Sequence, residues 1–184
     1  MPKFQTIKMI HLENLDLRAV TMGISLWECT GSDDIKGKIR EKILKNASNL
    51  VSSCKKLEQK YGIPVVNKRL AISPIALVCA QSSIDQMIEI AEMLDKTCKE
   101  INIDLVGGYS ALVHKGIKQG DQKLLESLPV VLSQTERVCS SINVASTKAG
   151  INMEAIMQLG EIIKDSAFQS KERHGFACAK LVVF

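Results

Sequence analysis

The sequence predicts an α/β fold, five parallel strands alternating with helices, and two observations carry that reading. Segments rich in Val, Ile and Leu start near residues 17, 65, 103, 138 and 179. That spacing of roughly forty residues leaves room for a strand, a crossover helix and loops. Between them, apolar residues return every three or four positions on one face only, as a helix laid against a sheet requires. Such an alternation implies a parallel sheet with right-handed crossovers. No Gly/Ser/Pro-rich linker interrupts it, so one α/β domain over residues 1–184 is expected.

The elements follow in order. Phe4, Ile7 and Ile10 suggest a short leading helix. Leu17 to Ile24 reads as a strand. Ser32-Asp33-Asp34 then supplies a cap and first-turn negative charge for one long helix. Its stripe runs through Ile35, Ile39, Ile43, Ala47, Leu50, Cys54, Leu57 and Tyr61, and Gly62 stops it. Val65 to Ile72 is the second strand, broken by Ser73-Pro74. Ser83 and Gln86 fit a capping box ahead of a helix that buries Met87, Ala91, Leu94 and Cys98. Ile103 to Val106 forms the third strand and runs into Gly107-Gly108. Asp121 starts a short helix through Leu124, Leu125 and Leu128, and Pro129 opens a second at its favoured first position. Val138 to Val144 is the fourth strand, Asn152 caps a helix from Met153 to Ala167, and Ala179 to Phe184 is the fifth strand.

Composition excludes several classes. Twenty-four Lys and Arg against twenty Asp and Glu leave +4, spread along the chain, which disfavours a dedicated nucleic-acid binder. No run approaches about eighteen consecutive apolar residues, so no membrane span is expected. Hydrophobic residues make up 46% and charged residues 24%, which excludes intrinsic disorder. The closest of the six cysteines are nineteen positions apart, so there is no C-x-x-C element and no metal site is expected. Together with the absence of a signal-peptide pattern, this places the protein in a reducing cytoplasm.

Parallel folds collect ligands outside the carboxyl ends of their strands, where loops meet helix N-termini. The candidates there are Asn67, Lys68 and Arg69, then Gly107 and Gly108, then Ser141 and Asn143, and finally Ser146, Thr147 and Lys148. The last group leads directly into the helix capped by Asn152, an arrangement that attracts phosphate or carboxylate. Its spacing is not that of a Walker loop. Alternation puts Lys68 and Arg69 on opposite faces, so one of them should point into whatever the sheet encloses and need an anionic partner. No compact catalytic motif accompanies these residues, and no cofactor is indicated.

Five blocks resemble one family: Val20 to Leu26, Val66 to Arg69, Gly107 to Val113, Cys139 to Asn143 and Ser146 to Met153. They resemble the uncharacterised prokaryotic PFL family, whose fold is similar to pyruvate formate-lyase and anaerobic ribonucleotide reductase. The resemblance implies a half-barrel of a ten-stranded pyruvate formate-lyase-like α/β barrel. It also implies a fragment, the N-terminal part of a longer protein. It supplies no reaction, because neither a radical glycine segment nor a central cysteine loop is located in this chain.

Two functions follow as expectations. One is an enzyme-like domain that binds a small anionic metabolite at the strand C-termini. The alternative is a non-catalytic assembly module that needs a complementary half-barrel or self-association. In that case the concave face is expected to carry Val66, Ile72 and alternate members of Leu181–Phe184 uncovered.

Overall fold

The computed structural model describes residues 2–13 and 16–184. The leading helix α1 spans Pro2–His11. Strands β1 (Leu17–Ile24), β2 (Val65–Ile72), β3 (Leu105–Gly107), β5 (Val138–Asn143) and β8 (Leu181–Val183) form the main sheet. They lie in sequence order and every neighbouring pair is parallel. A short strand β4 (Ala111–Leu112) extends the line of β3 along the same flank of β5. The fold is α/β, with parallel strands alternating with helices around a central sheet.

The register decides which side chains meet the helices. Met22, Leu70, Val106 and Val138 are successive partners across four strands and so share one face. That face carries the core. Against it pack α2 (Ile35–Ala47), α3 (Leu50–Tyr61), α5 (Ile84–Glu100) and α6 (Gln119–Gln134). Ile39 and Ile43 of α2, Leu94 of α5 and Leu124 and Leu128 of α6 are fully buried. Each such side chain contributes on the order of 1.5–3 kcal/mol through the surface removed from water. The short helix α4 (Ile75–Val78) and the long α7 (Met153–Gln169) complete the layer.

Local chemistry explains the boundaries. The capping box at α5 is formed: Ser83 accepts from Gln86 N, and the Gln86 side chain accepts from Ser83 N. Gly62 ends α3 at φ 69°, the left-handed conformation a glycine adopts without strain. Asn152 caps α7 by accepting from Ala155 N at 3.2 Å.

Several expectations need correction. The single helix over 35–61 is two helices, α2 ending at Ala47 and α3 starting at Leu50 with Ser48 and Asn49 between them, because α2 packs on α5 while α3 packs on β2. The two helices expected around Pro129 are one, α6, with Pro129 inside it. An interior proline costs about 3 kcal/mol. Here α6 is packed against α4, α5 and α7, and that burial overrides local preference. The third strand starts later, at Leu105, and the fifth, at Leu181. The loop expected after β5 holds a hairpin, β6 (Ala145–Ser146) antiparallel to β7 (Gly150–Ile151). Ile72 is buried on the helix-covered face, the same face as Leu70, rather than on the opposite one.

Candidate functional site

The opposite face of the sheet is uncovered at its centre. Its residues are Ala19, Thr21 and Gly23 of β1, Asn67, Arg69 and Ala71 of β2, Leu105 and Gly107 of β3, and Cys139, Ser141 and Asn143 of β5. One row at a common level is Gly23, Ala71, Gly107 and Cys139, so no side chain larger than a thiol rises from it. A Cβ added at Gly23 would meet nothing within 4 Å, and one at Gly107 would meet only Leu70 O at 3.9 Å. The row is therefore a shallow trough. Beside it, two residues nearer the strand N-termini, stand Thr21, Arg69 and Leu105.

Arg69 is the cation of this surface. Among the described residues, no carboxylate lies within ion-pair distance of it and its side chain makes no hydrogen bond. Its Nε is buried without a partner. A guanidinium presents five donors in a planar fork suited to carboxylate or phosphate. Cys139 feels it: burial pushes the thiol pKa up, while the positive charges of Lys180 and Arg69 pull it back.

Lys68 leaves the same strand on the helix-covered side. It donates to Val65 O at 2.6 Å and stands 3.6 Å from the Glu58 carboxylate. The structure does not bring it together with Arg69. Asn67 shares Arg69's face and donates to Arg18 O at 3.2 Å. Ser141 and Asn143 also share the face but not the level. Asn143 lies six residues further along the register, roughly 20 Å at the rise of a strand. Its Oδ1 is buried without a partner. Leu112 and Val182, both exposed, flank this second region.

Gly108 has a different reason to be glycine. Its φ is +117°, and a Cβ there would approach Ile72 O to 2.4 Å. Gly108 O accepts from Ile75 N at 3.0 Å, joining the end of β3 to α4. Ser146, Thr147 and Lys148 lie in and around the β6–β7 hairpin beyond the C-terminal end of β5. Ser146 Oγ accepts from Ala149 N at 3.1 Å, and Thr147 and Lys148 are exposed. Arg69 sits level with the N-terminal end of β5, so Lys148 and Arg69 stand at opposite ends of that strand.

A cleft of about 300 Å³ lies between residues 30–35 and 77–86, at the carboxyl ends of β1 and β2. Its lining includes Asp33, Cys79, Gln81 and Gln86 and no cation. The sequence held one signal for it, the two loops that follow strands β1 and β2. All six cysteines are free. Burial pushes Cys79 and Cys98 up to about 12, which keeps both as neutral thiols. Among the described residues, no three His, Cys, Asp or Glu side chains gather to hold a metal, and no helix is long and apolar enough to cross a membrane.

Fold and face together define a class: a parallel α/β protein with helices on one side of its sheet and a polar, small-residue surface on the other. Residues 8–184 match the family described as Uncharacterised ACR (DUF711), and the chain belongs to that family. A UPF0210 protein of Halothermothrix orenii is 52% identical over 182 residues, covering 98% of this chain and 40% of that protein. A UPF0210 protein of Methanocaldococcus jannaschii is 50% identical over 190 residues, covering 98% and 41%. The chain thus spans about two-fifths of the length of these curated relatives. These matches overturn the resemblance to the PFL family. The description of the chain as a fragment of a PFL-family protein falls with it.

Proposed function

We propose that the uncovered face binds a small anionic metabolite, with Arg69 as the residue that holds its charge. The observation that carries this is the unpartnered Arg69 guanidinium beside the Gly23–Ala71–Gly107 trough. A partly buried cation without a carboxylate is costly, and a bound anion offsets that cost. The trough lets a ligand lie against the backbone, and Thr21, level with Arg69, and Asn67, two residues before it, offer hydroxyl and amide groups on the same side of the trough as Arg69. In this reading the parallel strands, laid in sequence order with helices on one side, form one wall of a larger α/β barrel. The six free cysteines support a reducing, cytoplasmic setting for it.

The test is a titration with inorganic phosphate and a panel of small mono- and dicarboxylates, followed by calorimetry and by amide chemical shifts. Saturable binding should appear for the wild type, with shifts centred on β1 to β3. Arg69→Ala should weaken it by about 1.5–3 kcal/mol, the value of a charge-assisted hydrogen bond. Lys68→Ala should leave it unchanged. Equal loss in both variants, or shifts confined to the Ser146–Lys148 hairpin, would refute the assignment to Arg69.

A further inference from the structure

We propose that the outer face of α7, together with the free edge of β8, docks the part of a UPF0210 chain that lies beyond the region matched here, whether joined to this chain or supplied separately. The α7 helix is apolar on two sides. Ala155, Leu159, Ile162 and Ser166 are buried. A second stripe, Met153, Ile156, Met157, Gly160, Ile163 and Ala167, repeats at the same three- and four-residue spacing on the other side. There Met153 is 61% and Met157 74% exposed. A helix apolar around most of its circumference belongs in an interior, not on a surface.

The place of α7 in the layer says what would cover this stripe. Helix α5 packs between α2 and α6, and α6 between α5 and α7, whereas α7 has α6 as its one α-helical neighbour among the described elements, with the short 3-10 turn at Phe176–Lys180 packed on it near Ile163 and Met153, Ile156 and Met157 left beyond its reach. Its free side is therefore where a further helix of the same layer would lie. The sheet agrees. Among the described residues strand β8 pairs with β5 alone, and Leu181 to Phe184 offer neither the charge nor the proline that usually protects an edge. One more β/α unit would cover both the stripe and the edge at once. Gly160 sits mid-stripe with nothing within 4 Å of where a Cβ would stand, which leaves room for close helix approach. The curated relatives, of which this chain covers two-fifths, supply the additional chain length.

The experiment compares thiol labelling in two intact proteins: this chain, and the Halothermothrix orenii relative in its full length. Cysteine replaces Met157 here and the aligned residue there. Cysteine at the exposed Lys55 of α3, and at its aligned position, serves as the control. Maleimide modification is followed peptide by peptide by mass spectrometry. Met157→Cys should react as fast as the control in this chain and at least about tenfold slower in the relative, as a packed site does. Equally fast labelling in both proteins would overturn the proposal. So would slow labelling in this chain accompanied by a sedimenting dimer that Met157→Glu dissolves, because the face would then belong to a second copy. Arg69→Ala should change neither rate, which keeps this outcome separate from that of the anion titration.

Discussion

Lys68 and Arg69 are adjacent in the chain and leave β2 on opposite faces of the sheet. The first is tied to Val65 O and Glu58 under α3, and the second has no hydrogen-bond or ion-pair partner among the described residues. The two cations therefore stand in different accounts, one structural and one available to a ligand. Lys68→Met should lower stability by about 1 kcal/mol, the net worth of one hydrogen bond and a partly buried ion pair. Arg69→Met should cost less, since it breaks no bond within the protein. Urea midpoints compare them, and a larger loss at Arg69 would show that its guanidinium has a structural partner.

The two glycines after β3 separate in the same way. Gly108→Ala forces a Cβ to within 2.4 Å of Ile72 O at a positive φ. It should cost at least about 2 kcal/mol through strain and displacement of β2. Gly107→Ala meets only an ordinary contact and should change the urea midpoint little, while narrowing the trough beside Arg69. Reversed costs would mean the β2–β3 approach is misplaced.

Much of this was legible before the structure. Strand positions and the alternation follow from apolar periodicity, and the Ser83–Gln86 and Asn152 caps follow from local hydrogen-bond chemistry. The break at Ser48-Asn49 and the continuity of α6 through Pro129 were not legible, because packing decides them: α2 lies on α5, α3 on β2, and α6 among α4, α5 and α7. Sequence alternation put Lys68 and Arg69 on opposite faces but gave no way to say which face the helices cover. The separation of Arg69 from Asn143 depends on strand register, which one chain's residue types do not encode. The second stripe of α7 was in the sequence throughout. A lone helix does not reveal how many neighbours it has, so residue type does not separate the exposed Met153 and Met157 from the buried Leu159.

Asp95 ties α5 to the start of β5. Buried at 6% exposure, it accepts from Glu136 N at 2.9 Å and Arg137 N at 2.7 Å, and Lys99 Nζ stands 3.0 Å away. Burial alone would raise its pKa, but those bonds outweigh it and hold the carboxyl below its ordinary 3.8. A carboxylate lowered on folding contributes stability that is complete above the unfolded value and lost as pH falls through the folded one. Asp95→Asn should therefore cost about 2 kcal/mol at neutral pH, because an amide cannot accept from all three donors. That cost should shrink as pH drops below 3.8. A pH-independent cost in urea denaturation would remove the charge from the explanation.

Lys180 presents the opposite sign. At 4% exposure it donates to Thr135 O, and no carboxylate lies within ion-pair distance of it among the described residues. Burial lowers its pKa from 10.5, Arg173 adds to that, and the charges of Cys139, Asp95 and Glu136 restore only part of the loss. In the unfolded chain the amine keeps its proton up to its ordinary value, while the folded protein releases it earlier. Between those two values the unfolded state binds more protons, so stability rises with pH. Below the folded value the amine is charged in both states and the full desolvation cost stands. Subtracting the stability of Lys180→Met from that of the wild type removes the other lysines and tyrosines, which titrate alike in both. The difference should grow in favour of the wild type as pH rises from neutrality towards 10.5, then level off. Urea unfolding followed by circular dichroism at pH 7, 8, 9 and 10 measures it. A flat difference would mean that water or an anion reaches Lys180 and keeps its charge at ordinary cost.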